Sequence, residues 1–464
     1  MSPRELAYEV LLRWTEQGGP ATLHLEALLA PANGPALAGR SGTPPALNLS
    51  PSERGLAMEL VHGIIRRRGT LDALLASHCQ RPLEKIEAGA KVLLYLGLYQ
   101  LVFLSGAPPY AVVNETAQFA KRLRKPQWTG FVNGILRSAG RSLTDQSASV
   151  PGPCAVPLTG EGYRIMATRS FPDPTLDFAG YFAAAFSLPH WLVERWRRRF
   201  SNPELTRLGF WFNAPPHLCL RVNTLRTNRE AFLAALPGAG VAGHPGQHPD
   251  AVHLEGSARV GGLPGFHEGW FTVQDESAMW AASLLAPRPG ERVLDLCAAP
   301  GGKATHLATL MQNEGTVIAT DVDEKRLALV SDTCARLGLS IVEPLVVRRD
   351  STDLPDGPFD AILMDVPCSN TGVLGKRPEV RWRLTPADLV ELVALQRQLM
   401  QEALSRLRPG GRLVYATCSI EPEENQQLIA GLLSQRPELQ LVKERHHLPG
   451  QPGDGGYQAL LSLS

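Results

Sequence analysis

Two cysteines, Cys368 in DVPCSNTG and Cys418 in YATCS, each follow a strand-like apolar run in the last third of this 464-residue chain. A free cysteine is most often a small buried hydrophobe, and either residue alone favours that interpretation. Two such cysteines near Asp365 and a glycine turn favour covalent catalysis on a pyrimidine instead. A thiolate that adds to carbon 6 makes carbon 5 nucleophilic enough to attack a methyl sulfonium, and a second group must then help to remove the carbon-5 proton.

The glycine turn lies in VLDLCAAPGGKATHLA, residues 293–308, where a strand runs through Cys297 into a helix. Such a turn lets the backbone approach a cofactor closely at the carboxyl edge of a parallel sheet. The segment is not a Walker A loop, because Cys297 and Ala304 stand where that loop needs glycine and Ser or Thr. It also lacks the G-x-G-x-x-G fingerprint, which argues against a nicotinamide dehydrogenase.

Asp321 ends the next strand-like run, 19 residues after Gly302. This spacing is typical of an acid that accepts hydrogen bonds from a ribose. The alternative is that Asp321 only caps the helix that follows.

A basic segment with one tryptophan follows the first cysteine motif, and it contains Lys376, Arg377, Arg381, Trp382 and Arg383. Cations beside an aromatic ring suit a stacked base and its phosphates. A tryptophan is also largely buried in most proteins. The sequence leaves both interpretations open.

The elements around these motifs alternate between short apolar runs and helical runs from about residue 291. This alternation predicts a doubly wound α/β domain with a mainly parallel sheet. Its long helix is predicted to begin with Thr385 as cap and Pro386 in the first turn, and to end at Pro409-Gly410-Gly411.

The front of the chain is organised differently. Apolar residues recur at helical spacing in residues 1–145, which predicts an all-α domain. Proline and glycine are frequent in a predicted loop at 31–51 and in a predicted interdomain linker, Ser142–Tyr163. The predicted domains are 1–145, helical; 146–185, linker; 186–283, small α/β; and 284–464, doubly wound α/β.

Composition narrows the class of protein. Apolar residues make up 44% and charged residues 20%, which is typical of a globular protein. Charges near the start and the lack of a long apolar stretch predict a cytoplasmic protein outside the membrane. Seven cysteines without a C-x-x-C pair predict neither disulfides nor a metal site. Residues 1–145 hold 16 Lys and Arg against 11 Asp and Glu, which indicates either an anionic partner or ordinary surface variation.

LDLCAAPGGK, DVPCSNTG and YATCS are similar to the signature motifs of the S-adenosylmethionine-dependent RNA cytosine-C5 methyltransferases. The front half resembles the RsmB (Sun/Fmu) branch, which methylates small-subunit ribosomal RNA. The stretch LLYLGLYQLVFLSGAPPYAVVNETAQFAKR, with FVNGILR, is similar to a NusB-like helical domain, and LRVNTLR and FTVQDESA precede the catalytic domain. The resemblance implies an all-α NusB-like domain, a small α/β RNA-binding domain and a Rossmann-like methyltransferase domain.

The resemblance also implies the residues of the site. S-adenosyl-L-methionine would be held by Cys297, Ala298, Ala299, Pro300, Gly301, Gly302, Lys303, Asp321, Asp350 and Asp365. Asp321 would hold the ribose, Asp350 would lie beside the adenine, and Asp365 would lie between cofactor and base. Cys418 would be the nucleophile, Cys368 would assist release, and Asp365 and Lys303 would complete the catalytic group. Spacing cannot order the two cysteines, because the related DNA enzymes attack with the cysteine of the PC motif.

The function implied is methyl transfer to carbon 5 of one cytosine in 16S ribosomal RNA. A monomer without metal is expected separately, because nothing in the sequence demands a dimer and no Cys or His cluster has the spacing of metal ligands. The alternatives are the same reaction on transfer RNA and a non-catalytic NusB-like RNA-binding regulator. The chain departs from the family pattern at Val366, at Gly375-Lys376-Arg377 and in GDGGYQALL, where the family commonly has alanine, paired arginines and an aromatic pair. The change at Val366 is small, and the change in GDGGYQALL concerns packing beside the RNA rather than the chemistry.

Overall fold

The computed structural model describes residues 1–29, 49–256, 258–348, 353–451 and 453–464. The chain divides into two compact units: Met1–Pro215 with Leu374–Arg383, and Pro216–Val373 with Leu384–Ser464. Most of the loop predicted at 31–51 lies outside the described residues. Within the described part of the chain, every helix is too short or too polar to cross a membrane.

The first unit begins with a group of α-helices, as predicted. They are α1 (Pro3–Gln17), α2 (Ala21–Leu29), α3 (Pro51–Arg66), α4 (Arg68–His78), α5 (Ala88–Phe103), α6 (Pro109–Arg122) and α7 (Gln127–Ser142). Ser2 and Ser50 form reciprocal capping boxes with Glu5 and Glu53, which fix where α1 and α3 begin. Helix α5 is apolar and buried on almost every side, and α1, α3, α4, α6 and α7 all pack against it.

The segment predicted as a linker, 146–185, is folded, so that prediction is wrong. The three strands β1 (Leu143–Ala148), β2 (Ala155–Pro157) and β3 (Tyr163–Met166) form an antiparallel sheet in the order β1-β3-β2. Helices α8 (Phe178–Ala185), α9 (His190–Trp196) and α10 (Asn202–Asn213) follow. The prolines and glycines lie mostly between short strands, and Val156, Tyr163 and Phe182 are buried. A few buried aromatic and aliphatic side chains therefore order a segment whose composition is typical of a linker.

The second unit begins with a small α/β domain, also as predicted. Its elements are β4 (Cys219–Val222), α11 (Arg229–Ala235), β5 (Gly243–Pro245), β6 (Ala251–Leu254), β7 (Phe271–Val273) and α12 (Glu276–Leu285). The four strands are antiparallel in the order β5-β6-β4-β7. Leu220, Phe232, Val252 and Phe271 form the centre of its core.

A seven-stranded sheet follows, in the order β10-β9-β8-β11-β12-β14-β13. The elements are β8 (Arg292–Leu296), α13 (Gly302–Leu310), β9 (Thr316–Asp321), α14 (Glu324–Leu337), β10 (Val342–Val346), β11 (Phe359–Asp365), α16 (Pro386–Leu404), β12 (Leu407–Thr417), α17 (Gln426–Gln435), β13 (Leu439–His447) and β14 (Gly456–Leu463). Helix α15 (Val380–Arg383) comes between β11 and α16 in the chain but belongs to the first unit. Strands β8 to β12 are parallel to one another. Strand β14 is antiparallel to both of its neighbours, β12 and β13. The predicted doubly wound architecture is confirmed.

Apolar side chains cover both faces of this sheet, as is usual for parallel strands. Leu294 and Met364 point to the face covered by α16 and α17, whereas Val293 and Leu363 point to the face covered by α12 and α13. The strands are thus anchored on both sides, and their carboxyl ends are held in fixed positions.

Helix α16 begins as predicted and ends earlier than predicted. Thr385 caps it, and Pro386 is its first residue. The helix stops at Leu404, and the chain joins β12 from Leu407. Pro409-Gly410-Gly411 therefore forms an irregularity in the strand, where the pairing of β12 with β11 shifts register, rather than the end of the helix.

Candidate active site

Four predicted site residues lie at the ends of four neighbouring parallel strands. Asp321 is the last residue of β9, and Asp365 is the last residue of β11. Cys297 directly follows β8, and Cys418 directly follows β12. Because these strands are parallel and adjacent in the order β9-β8-β11-β12, the four residues share one edge of the sheet. The strand order reverses between β8 and β11, which is where doubly wound sheets bind their ligands.

The turn after β8 holds the chain in a conformation that favours glycine. Gly301 has a φ of 100°, and a Cβ at this position would lie 3.0 Å from Val330. Cys297 also has a positive φ, 64°, and Gly302 begins helix α13. Three other residues predicted to bind the cofactor, Ala298, Ala299 and Pro300, lie in the turn, and Lys303 lies in the first turn of α13. Glycine at 301 therefore lets the turn pack closely against α14 beside the switch point of the sheet.

Asp321 is nearly buried, with 5% of its surface exposed. Its carboxylate accepts hydrogen bonds from the backbone N–H of Ala299 at 3.2 Å and of Asp323 at 3.1 Å. The side chain that caps α14 is Asp323, which accepts from two N–H groups of the first turn. The alternative that Asp321 caps this helix is therefore wrong. Asp321 instead ties the end of β9 to the glycine turn.

Lys303 and Asp365 form an ion pair across the switch point. The Lys303 Nζ lies 2.6 Å from Asp365 Oδ2. Burial by itself lowers the pKa of an amine, but the neighbouring Asp365 carboxylate more than offsets it, so the pKa of Lys303 is raised above its ordinary value. The lysine therefore stays charged at neutral pH and orients the Asp365 carboxylate.

The two cysteines meet although they are far apart in the chain. The Sγ atoms of Cys368 and Cys418 lie 3.2 Å apart, within hydrogen-bonding distance for sulfur. The hydrogen bond with Cys418, followed by burial, raises the pKa of the Cys368 thiol well above its ordinary value. Cys368 is buried, whereas Cys418 is partly exposed. The pair therefore consists of an inner cysteine that keeps its proton and an outer cysteine that solvent can reach.

Asn370, which the sequence analysis missed, joins the two cysteine loops. Its Nδ2 donates to the carbonyl oxygen of Cys368 at 2.7 Å, and its Oδ1 accepts from Cys418 Sγ at 3.2 Å. An asparagine in SNTG suits a turn and gives no signal of such a contact, because the second cysteine is distant in sequence.

Asp295 is a second residue that sequence reasoning missed. It lies inside β8, is fully buried, and its carboxyl oxygens have no hydrogen-bond partner among the described residues. Burial, and then the nearby Asp365, raise the pKa of Asp295 well above its ordinary value. The sequence signal that could have identified Asp295 is an acidic residue inside the apolar run VLDL.

The basic segment packs within the first unit, which decides between its two interpretations. Arg381 is buried, and its guanidinium donates to the backbone carbonyls of Arg66, Phe186 and Ser187 at 3.0 to 3.3 Å. Trp382 Nε1 donates to the carbonyl of Ile65 at 2.8 Å. The interpretation that Arg381 and Trp382 meet RNA is therefore wrong, because both are structural. Lys376, Arg377 and Arg383 are exposed.

Asp350, predicted to lie beside the adenine, falls outside the described residues. Among the described residues, one group has donor atoms that could hold a metal ion: His248, Asp250 and His306. The ring nitrogens of His248 already bond Ser283 Oγ at 2.8 Å and the backbone N–H of Asp250 at 3.1 Å. The prediction that the protein uses no metal stays a prediction.

Fold and site together define a class. A mainly parallel sheet with a glycine turn after its first strand, an acid at the end of the second, and an antiparallel pair at one edge is a doubly wound α/β domain of the kind that methyltransferases share. Residues 282–458 match the family model described as 16S rRNA methyltransferase RsmB/F. Residues 1–141 match the NusB family, and 188–261 match the RsmF/B-like ferredoxin-like domain. The chain belongs to the RsmB/F family of 16S rRNA methyltransferases.

Individual relatives agree with this family. The chain is 36% identical over 419 residues to "Ribosomal RNA small subunit methyltransferase B" of Salmonella typhi, covering 88% of this chain and 90% of the relative. Among solved structures, PH0851 matches with a TM-score of 0.76 and 25% identity over 99% of both chains. A methyltransferase homologue from Pyrococcus horikoshii matches with a TM-score of 0.54 and 27% identity, over 61% of this chain and 98% of the other.

Proposed function

We propose that this protein transfers a methyl group from S-adenosyl-L-methionine to carbon 5 of a cytosine in 16S ribosomal RNA, through a covalent bond between Cys418 and the base. The observation that carries the proposal is the pair of sulfur atoms 3.2 Å apart at the sheet edge that also holds Asp365. The substrate rests on the family and on the name of the Salmonella relative.

The residues at the switch point fit the cofactor. The turn between β8 and α13 lies at the sheet edge where folds of this kind bind ligands, and the Asp321 carboxylate is an acceptor suited to ribose hydroxyls. We infer that Cys297 to Lys303 hold the methionine end, that Asp321 holds the ribose, and that Asp350 belongs beside the adenine. The cofactor supplies an electrophilic methyl group.

The roles proposed for the two cysteines follow from their surroundings. Cys418 is the partly exposed member of the pair and can reach a base, so it forms the bond to carbon 6. The first cause of the high pKa of Cys368 is its hydrogen bond with Cys418. When the Cys418 sulfur is bonded to carbon 6, it becomes a poorer hydrogen-bond acceptor. The hydrogen bond then raises the pKa of Cys368 less than before. After methyl transfer, Cys368 gives its own proton to solvent and, as the thiolate, accepts the carbon-5 proton. The electrons of the broken carbon–hydrogen bond form the double bond between carbons 5 and 6. The bond from carbon 6 to sulfur then breaks, and the Cys418 thiolate returns.

Asp365 is proposed to select and orient the base. Lys303 forms an ion pair with it, and a carboxylate accepts hydrogen bonds and does not donate them. The exocyclic amino group of cytosine donates a hydrogen bond where uracil carries a carbonyl oxygen. An anionic Asp365 therefore favours cytosine, and Lys303 fixes the direction in which the carboxylate points. The target cytosine must be unpaired or flipped out of a helix to reach this edge.

The proposal is tested with Cys368→Ala protein, small-subunit ribosomal RNA free of ribosomal proteins, and labelled S-adenosylmethionine. We expect a protein–RNA adduct on a denaturing gel, because the intermediate forms and its release is slowed. The adduct must be absent from the Cys368→Ala/Cys418→Ala double variant. Cys418→Ala alone should abolish methyl transfer and leave cofactor binding intact, and near-normal turnover in that variant would overturn the mechanism.

Two other outcomes distinguish the alternatives. Methylation of transfer RNA, without methylation of the ribosomal RNA, would move the substrate to transfer RNA. Failure of the wild-type protein on both RNAs, with RNA still bound, would favour a non-catalytic RNA-binding regulator. Sedimentation of the protein alone and with RNA tests the proposed monomer.

A further inference from the structure

A buried carboxylate, Glu424, lies against the loops that carry both cysteines. It belongs to the short turn Pro422–Glu424 between β12 and α17, and none of its surface is exposed. One carboxylate oxygen accepts from the backbone N–H of Ser369 at 2.8 Å, and the other accepts from the Oγ atoms of Ser369 and Ser419, both at 2.5 Å.

These two serines directly follow the two cysteines in the chain. Ser369 follows Cys368, and Ser419 follows Cys418. The Glu424 carboxylate therefore contacts the residue that follows each of the two cysteines, although the two loops are 50 residues apart. The serine hydroxyls also lie 3.0 Å from each other, so the contact between the loops is continuous.

Gln396 of α16 extends the same network to the other side of Cys368. Its Nε2 donates to Glu424 Oε1 at 3.0 Å and to the carbonyl oxygen of Pro367 at 2.9 Å. The residues before and after Cys368 are thus both fixed by this network. Within the described chain, Glu424 has no ion-pair partner, so its charge is balanced by hydrogen bonds alone.

A buried anion of this kind is costly to maintain. Removing a carboxylate from water is unfavourable unless several donors replace the water, and a neutral side chain of similar shape would often serve stability as well. The use of a carboxylate at this buried position therefore indicates a requirement other than packing. The negative charge also contributes to raising the pKa of the nearby Cys368 thiol, after the Cys418 hydrogen bond and burial.

We propose that Glu424 is a positioning residue, which sets the separation of the Cys368 and Cys418 sulfur atoms by holding the residue that follows each cysteine. The inference rests on the proposed function, since it names a group that acts through both cysteines. Glu424 itself does not touch the base.

The test compares Glu424→Gln with Glu423→Gln, which makes the same chemical change at the preceding, partly exposed position. We expect Glu424→Gln to lower kcat by about 10- to 100-fold, as for loss of charge-assisted hydrogen bonds. KM for S-adenosylmethionine should change less than threefold, and Glu423→Gln should stay within about twofold of wild type. Equal kcat in the two variants, both folded, would overturn the proposal.

A second measurement does not depend on RNA or on turnover. In a Cys418→Ser background, the rate of iodoacetamide alkylation at Cys368 is followed against pH by mass spectrometry, with and without Glu424→Gln. Loss of the anion should move the alkylation midpoint to lower pH, because Glu424 contributes to raising the pKa of this thiol. An unmoved midpoint would contradict the role of Glu424 even if the proposed methylation holds. A moved midpoint with no methylation by wild type would indicate failure of the proposed function alone.

Glu424→Gln could fail to fold, so Ser369→Ala and Ser419→Ala provide a second route. Each removes one hydroxyl donor from the carboxylate and leaves the charge in place. If Glu424 couples the loops, the effects of the two substitutions on kcat should be clearly non-additive in the double variant. Additive effects would mean that the loops are positioned independently, which contradicts the proposal.

Discussion

Lys303 Nζ lies 2.6 Å from Asp365 Oδ2, and this contact joins the helix that follows β8 to the end of the neighbouring strand β11. Lys303 follows the glycine turn that is predicted to hold the cofactor, and Asp365 ends the strand that leads to Cys368. A single ion pair therefore connects the proposed cofactor site to the proposed base site.

Replacing the lysine should uncouple these two sites. We expect Lys303→Met to lower kcat by about 10- to 100-fold, because Asp365 loses a charge-assisted hydrogen bond that fixes its orientation. Single-turnover methylation and cofactor titration together measure the effect. Lys325→Met, at an exposed position on α14, is the control. An unchanged single-turnover rate in Lys303→Met would remove the ion pair from the mechanism.

Asp321 and Asp323 offer a matched pair of acids two positions apart. Asp321→Ala should weaken cofactor binding by about 10- to 100-fold, since the ribose acceptor and the support of Ala299 are both lost. Asp323→Ala removes the cap of α14 and should cost about 1 kcal/mol of stability while leaving the cofactor Kd nearly unchanged. Calorimetric titration and urea unfolding separate the two effects. If the two variants bound cofactor equally well, Asp321 would not belong to the site.

The buried Asp295 predicts a pH dependence of stability. The folded-state pKa of this carboxyl is raised above its ordinary value of 3.8, so the folded state retains a proton that the unfolded state releases. Its contribution to stability is complete below pH 3.8, declines as pH rises toward the raised pKa, and is lost above it.

Asp295→Asn should therefore stabilise the protein increasingly with pH, by about 1 to 3 kcal/mol at pH 8. Urea unfolding at pH 5 and pH 8 measures the difference, and the exposed Asp332→Asn is the control. A stability difference that did not grow with pH would mean that Asp295 is ionised in the folded protein.

Arg381 should be important for the stability of the first unit rather than for RNA binding. Arg381→Met leaves the buried carbonyls of Arg66, Phe186 and Ser187 without this donor, and we expect a loss of about 3 to 5 kcal/mol. The exposed Arg383→Met should stay within about 0.5 kcal/mol of wild type. Chemical denaturation followed by circular dichroism checks both, and equal stabilities would contradict the structural role.

The sequence predicted the parts of this protein that depend on local pattern. Alternating apolar and helical runs located the parallel sheet, and the Ser, Thr and Pro caps located helix starts such as Thr385. The candidate site was predictable for the same reason. Adjacent parallel strands bring their carboxyl ends together, so a residue just after a strand, such as Cys418, can be placed without knowing any distance.

What the sequence could not predict depends on contacts between distant segments. Glu424 and Asn370 lie in ordinary-looking turns, and their partners are about 50 residues away or across a loop. The strands at Ala155–Pro157 and Tyr163–Met166 are too short to show alternation, and proline and glycine obscure them. Arg381 was also not predictable as a buried residue. Arginine is usually exposed, and the backbone carbonyls that surround this one come from distant segments.

The ten residues Leu374–Arg383 belong to the first unit, although the segments on either side of them belong to the second. The amino-terminal portion of this protein is therefore not a detachable module. A fragment that stops at Pro215 would lack Arg381 and Trp382 and would contain a cavity where their side chains pack. Such a fragment would need the missing peptide to be supplied in trans. Recombination that exchanges front halves between relatives must carry this ten-residue insert along with them, or the hybrid inherits an incomplete core.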